Sequence, residues 1–364
     1  MRLRLRIVVA VSCFLSLFAF VRQVFAQQPL SPSEASAAKV SDHRIWLDVV
    51  VTDKSGNPVS GLQQQDFTIL DSKQPDAILS FSATDAASKA ADPMQVIFLI
   101  DAVNIGVESL GVERTQLDKF LRRDGGRLQL PTAMFVFTDR ATEAQTATRD
   151  GNVLADFLDS DKTGLRTIDR SQGFYGAADR LNLSLRAIEQ LTAYAGKQPG
   201  RKLLIWISAG WPLLSGPSVQ LTEKNQEWLF NTIVELSRAL REARVTLYSV
   251  DPLGLADAAT SREFFYEEFL KGVPSANKVQ SGNLALQVLA TQSGGRVLNS
   301  SNDIAKLIAD CLLDAKAYYT LSFDAPPADH PNEYHSLQVK VDKRGLIART
   351  RTGYYAEPYQ SVGR

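Results

Sequence analysis

Apolar and polar residues alternate with period two at both ends of the chain, and strand-like and helix-like spacing take turns between them. In the stretch 45–52, Ile45, Leu47, Val49 and Val51 fall on one face, the pattern of a half-buried strand. A turn follows at 53–58, where Gly56 and Asn57 tolerate positive φ. Residues 66–70 and 77–81 predict two more short strands, so 42–83 forms part of an antiparallel β-sandwich. The stretch 83–93, rich in Ala, Asp and Ser, is the natural linker.

From Val96 the pattern changes. Residues 96–100 and 203–207 are unbroken apolar runs, as expected of central parallel strands covered on both faces. Strands are also predicted at 133–137, 245–250 and 295–298, with 144–148 as an edge strand. Helical spacing appears in Val112, Leu117, Phe120 and Leu121, and again in Leu181, Leu185, Ile188 and Leu191. Further helices are predicted at 228–241, 284–292 and 303–315, the last capped by Asn302 or Ser301. This alternation predicts an α/β doubly wound, mainly parallel sheet over 94–316. The tail returns to β at 318–323 and 337–341, and Lys343–Gly345 turns the chain into a strand over 346–355. Neither terminal β block can bury its apolar face alone. The 42–83 and 317–356 segments are therefore expected to form one small sandwich with the α/β domain inserted, followed by a tail at 357–364.

Composition narrows the function. Lys plus Arg total 40 and Asp plus Glu total 40, interspersed, so no basic block marks a nucleic-acid surface. Arg2, Arg4 and Arg6, the apolar run 7–20 and the small residue Ala26 predict a signal peptide at 1–26, then a polar segment at 27–41. An uncleaved anchor is the competing reading, although the run is short for a full span. The protein is expected to be secreted or periplasmic, with no transmembrane helix in the mature chain. Cleavage leaves Cys311 as the only cysteine, on an apolar helical face, and predicts a buried structural thiol. The three histidines, His43, His330 and His335, all lie outside the α/β segment, and His330 and His335 are expected as solvated loop residues. Glu267 and Glu268 belong to a predicted helix with one solvated face. No nucleophile elbow, zinc-protease helix, phosphate loop or dinucleotide glycine motif occurs, so no enzyme is expected.

The ordered set resembles a known family. Val96–Asp101, an apolar strand ending in aspartate, resembles the first strand of a von Willebrand factor A (VWA) domain. KQPGRKLLIWIS (197–208) and VTLYSVDPLGL (245–255) resemble its central and following strands. The flanks, VVVTDKSGNPVSGLQQQDFTILD (49–71) and YYTLSF with SLQVKVDKRGLIARTRTGYYA (318–323 and 336–356), resemble VWA-related secreted proteins of the acidobacterial type. The resemblance implies a Mg²⁺ site built from Asp-x-Ser-x-Ser, a loop Thr and a later Asp. Asp101 matches its first position. The two serines fall on Val103 and Ile105, the Thr near Tyr175, and the last Asp on Ala209. The metal site is therefore expected to be degenerate, with no cofactor required. A weak Mg²⁺ site rebuilt on Asp101 and Asn104, with oxygens from Asp139, Asp179 or Ser208 nearby, is the remaining option. Val103, Tyr175 and Trp211 would give the former metal face to a protein partner, or else plug the vacant pocket as core. The expected function is non-enzymatic protein binding or adhesion. A structural envelope-assembly scaffold and a Rossmann-like enzyme are the alternatives.

Overall fold

The computed structural model describes residues 43–85, 93–160, 173–213, 221–251 and 265–358. The expected signal peptide and polar segment, most of the linker and the end of the tail lie outside the described residues.

Two kinds of sheet are present, as the hydrophobic pattern predicts. The larger has six strands: β5 (Met94–Asp101), β6 (Arg127–Phe137), β7 (Thr142–Asp150), β8 (Arg201–Ile207), β9 (Val245–Val250) and β10 (Val297–Leu298). Their order is β10-β9-β8-β5-β6-β7, parallel throughout except for the antiparallel edge strand β7. All seven residues of β8 are buried, which explains why Leu203–Ile207 is an apolar run and not an alternation.

Helices cover both faces. On one side α3 (Gly173–Gly196), α4 (Glu223–Glu242) and α5 (Leu286–Gln292) pack over Ile97, Leu99, Leu204, Trp206 and Leu247. On the other, α1 (Val107–Leu121), α2 (Gly151–Asp159) and α6 (Ile304–Leu312) pack over Phe98, Ile100, Ile205 and Tyr248. Strand parity sorts alternate residues between the two cores. Each fully buried Leu or Ile contributes roughly 1.5–3 kcal/mol of transfer free energy. Cys311 is a fully buried member of the second core, and burial pushes its thiol far above the ordinary range.

The terminal segments build a sandwich together. One sheet has the order β13-β1-β11-β4, from β1 (Arg44–Thr52), β4 (Ser80–Asp85), β11 (Ala317–Asp324) and β13 (Ile347–Arg349). The other has the order β14-β12-β2-β3, from β2 (Phe67–Asp71), β3 (Gln74–Asp76), β12 (Glu333–Val341) and β14 (Gly353–Ala356). Strands of the N-terminal segment pair antiparallel with strands of the tail, β1 and β4 with β11 and β2 with β12. Leu47, Val49, Ile69, Leu321, Phe323 and Val339 meet between the sheets.

The structure corrects several local expectations. The predicted strand at 346–355 is two strands, because the chain crosses from one sheet to the other between Arg349 and Gly353. The predicted strand at 77–81 is replaced by β3 before it and β4 after its start, and β4 runs into the expected linker as far as Asp85. The cap of α6 is Asp303, whose carboxylate accepts from the Lys306 N–H, and not Asn302 or Ser301. Glu267 and Glu268 lie in a single 3-10 turn (Tyr266–Phe269), with no helix around it among the described residues. His335 is not a solvated loop residue. It lies on β12, buried, with Nδ1 2.9 Å from Asp71 Oδ1, while the Tyr354 hydroxyl donates to Asp71 Oδ2 at 2.5 Å. That network ties β2, β12 and β14 through groups that would be costly to bury unpaired.

Candidate functional site

In an open α/β sheet, ligands bind beyond the carboxyl ends of the strands. Asp101 occupies that end of β5, and its surroundings decide what the site can do. The side chain is fully buried. Oδ1 accepts from the backbone N–H groups of Val103 and Asn104, both at 3.0 Å. Oδ2 accepts from the Asn104 side-chain amide at 2.8 Å and from the Trp206 indole N–H at 2.9 Å. The Ser208 hydroxyl, itself fully buried, is a further hydrogen-bond partner. Burial raises the carboxyl's pKa, and the bonds from Asn104, Trp206 and Ser208 oppose that rise.

The chain folds this way for local reasons. Asp101 ends a strand, so its carboxylate can turn back on the N–H groups of the next residues, the Asx-type contact that competes with regular structure. Asn104 then bridges outward: its side-chain amide also donates to Ser184 Oγ on α3 at 2.9 Å. Asp101 and Asn104, both predicted as metal ligands, are therefore brought together, but as partners of each other. The two Asp101 oxygens are both engaged by protein N–H and O–H donors.

The other predicted positions divide. Val103 is 1% exposed and packs with Trp206 and Leu185 in one core, while Ile105 is buried in the opposite one. Trp211 is 6% exposed, its ring edge-on to Trp206 with centroids 5.2 Å apart. Both Val103 and Trp211 are thus interior plugs and not surface anchors, because the space beside Asp101 is filled by aromatic packing. Tyr175 is 82% exposed. It lies nine residues before Ser184 on α3, about 13 Å along the helix axis, so it stands beyond the Asp101 cluster and cannot line it. Asp179 is exposed, and Asp139 is half-buried with Oδ1 enclosed and unpartnered.

One residue at this end of the sheet escaped the sequence reading. Glu113 lies on the stripe of α1 that includes Leu110, Leu117 and Leu121, and is fully buried. Neither carboxyl oxygen has a hydrogen-bond partner among the described residues. Burial, then the nearby charges of Asp101 and Asp251, raise its pKa well above the ordinary value of 4.5 and favour the neutral form. Its three- and four-residue spacing from leucines was the available signal.

The residues do not fit the Mg²⁺ site that the family resemblance implies. The two positions matching the family's hydroxyls are apolar and buried, Asp101 is engaged by several protein donors, and burial biases the Glu113 carboxyl toward its neutral form. Among the described residues no group of three His, Cys, Asp or Glu side chains is arranged to hold a metal ion.

No protein-family profile matches the sequence, and no curated protein matches it. Among solved structures, a von Willebrand factor type A protein from Catenulispora acidiphila is similar at 9% identity and a TM-score of 0.33, covering 86% of this chain and 74% of that one. The pilus adhesin SpaC from Lactobacillus rhamnosus GG is similar at 7% identity and a TM-score of 0.36, covering 80% and 49%. The human COPII-coat protein Sec24c is similar at 10% identity and a TM-score of 0.32, covering 74% and 44%. The chain spans less than half the length of the last two.

Proposed function

We propose that this chain is an exported, non-enzymatic protein-binding module, built on a VWA-like α/β domain whose metal centre has been replaced by a hydrogen-bonded plug. The observation that carries this reading is the saturation of Asp101 by Val103, Asn104, Trp206 and Ser208. A carboxylate kept for metal binding leaves lone pairs directed at an open position. This one is directed wholly inward, so recognition without metal is the arrangement it serves. Tyr175 is the predicted anchor whose side chain is exposed, and exposed aromatic side chains are effective contact residues. Export rests on the basic and apolar pattern of residues 1–26.

The test is capture of an envelope or secreted protein partner in the presence of EDTA, comparing the wild type with Tyr175→Ala. Capture that survives EDTA and is lost in the variant supports the reading. Capture that requires Mg²⁺, or that Tyr175→Ala leaves unchanged, refutes the metal-free site or the anchor respectively.

A further inference from the structure

The two sheets of the sandwich end on the same side, because only residues 77–79 connect β3, the edge of one sheet, to β4, the edge of the other. Beside this opening Gln64, Gln65, Phe67, Thr68, Asp76 and Ile78 line a cavity of about 500 Å³, within the roughly 300–1,000 Å³ usual for small-ligand sites. One wall is apolar. Phe67 stands with Phe81 and Tyr319, their ring centroids 5.8 and 4.9 Å away, and Ile78 packs against the same core.

Asp76 brings a carboxylate into this setting. It lies directly opposite Ile69 in the β2–β3 ladder, and opposite residues share a face, so it points to the side on which Ile69 is fully buried. No hydrogen bond from a described residue acts on it. Burial and then the charge of Asp71 raise its pKa, and His335 opposes them without reversing the sign. The mouth is therefore short of positive charge. An inward carboxylate can also keep an edge strand from pairing with another chain, but β3 is only three residues long and Pro75 already removes an edge N–H. A single carboxylate is too few for a divalent metal, which takes several oxygens. Gln64 donates its Nε2 to the Ile78 carbonyl at 3.3 Å, which fixes its side chain and leaves Oε1 as an acceptor.

We propose that this mouth binds a small primary alkylamine, its ammonium group on Asp76 and the Gln64 amide oxygen and its stem against Phe67 and Ile78. A primary ammonium carries three donors on a compact charge and can serve both oxygens at once. A quaternary ammonium has no N–H and would serve neither. The occupant is a free amine and not a peptide strand, because a strand added here would need the edge donor that Pro75 lacks.

The test is saturation-transfer NMR from the full chain to n-butylammonium chloride at neutral pH, with sodium butyrate, tetramethylammonium chloride and Nα-acetyl-lysine-N-methylamide as parallel arms. Saturable transfer to n-butylammonium, strongest at the stem methylenes and lost in Asp76→Asn, is expected, with none to butyrate or tetramethylammonium. No saturable transfer in the wild type, or transfer that Asp76→Asn leaves unchanged, overturns the assignment. Transfer to tetramethylammonium equal to that to n-butylammonium overturns the part given to the N–H donors. Tighter binding of the lysine derivative than of n-butylammonium moves the site to a peptide side chain and overturns the free amine. Should Asp76→Asn fail to fold, the wild type decides alone: transfer to the cation and not to butyrate upholds the site, and equal transfer to both removes it.

Discussion

Replacing Glu113 with glutamine is expected to change stability only where the wild-type carboxyl ionises on unfolding. In the folded protein the group is fully buried, lacks a hydrogen-bond partner among the described residues and sits near Asp101 and Asp251. Its folded pKa is therefore raised well above the ordinary value of 4.5. The stabilisation tied to a raised pKa is present in full below the unfolded value and is lost as pH rises toward the folded one. Over that window the folded state binds one more proton than the unfolded, and this residue lowers stability by about 1.4 kcal/mol per pH unit. Glutamine keeps the shape and cannot titrate. Urea unfolding of both proteins from about pH 5 to pH 7 should show the variant gaining on the wild type at that slope. A difference that stays flat across this range refutes the placement of Glu113 as a buried neutral acid.

Other consequences are smaller to state. Trp206→Phe removes the indole donor to Asp101 and leaves a gap beside Trp211, so it should cost about 2–4 kcal/mol in the same unfolding assay. Asp314 is 2% exposed and receives the Tyr248 hydroxyl at 2.6 Å and the Arg349 guanidinium from β13. Asp314→Ala strands that arginine and should cost roughly 3 kcal/mol, while Asp314→Leu with Arg349→Met together should cost less than the single change. The thiol of Cys311 should not react with Ellman's reagent in the native protein and should react fully in urea, because burial keeps it protonated. Fast native labelling would place that helix outside the core.

What the sequence revealed tracks how local the determining physics is. The central strands were legible because a strand covered on both faces carries a continuous apolar run, as β8 does over Leu203–Ile207. The terminal strands were legible because one covered face imposes alternation, as in β1. The helix Gly151–Asp159 escaped because it follows β7 without a connecting residue, although Asp150 accepting from the Asn152 N–H is an ordinary cap. The split of the last strand depends on a crossing between sheets, which no period-two pattern encodes. At the site, the apolar character of Val103 and Ile105, where the resemblance places hydroxyl ligands, could be read directly. Whether Trp211 faced solvent or core could not, since an aromatic residue suits either place and the choice depends on Trp206 beneath it. Arg351 shows the same limit: its burial comes from the meeting of the sandwich with the α/β domain, a contact between residues far apart in sequence.

The central claim is that the end of the sheet around Asp101 is plugged by protein donors and binds no divalent ion. The most direct measurement is the thermal midpoint of the purified chain in EDTA, then in millimolar Mg²⁺ and in Mn²⁺ at matched ionic strength. The three midpoints should coincide. Free metal at a hundredfold its dissociation constant would add about 2.7 kcal/mol to the folded state, so a saturable rise that Asp101→Asn abolishes would contradict the account.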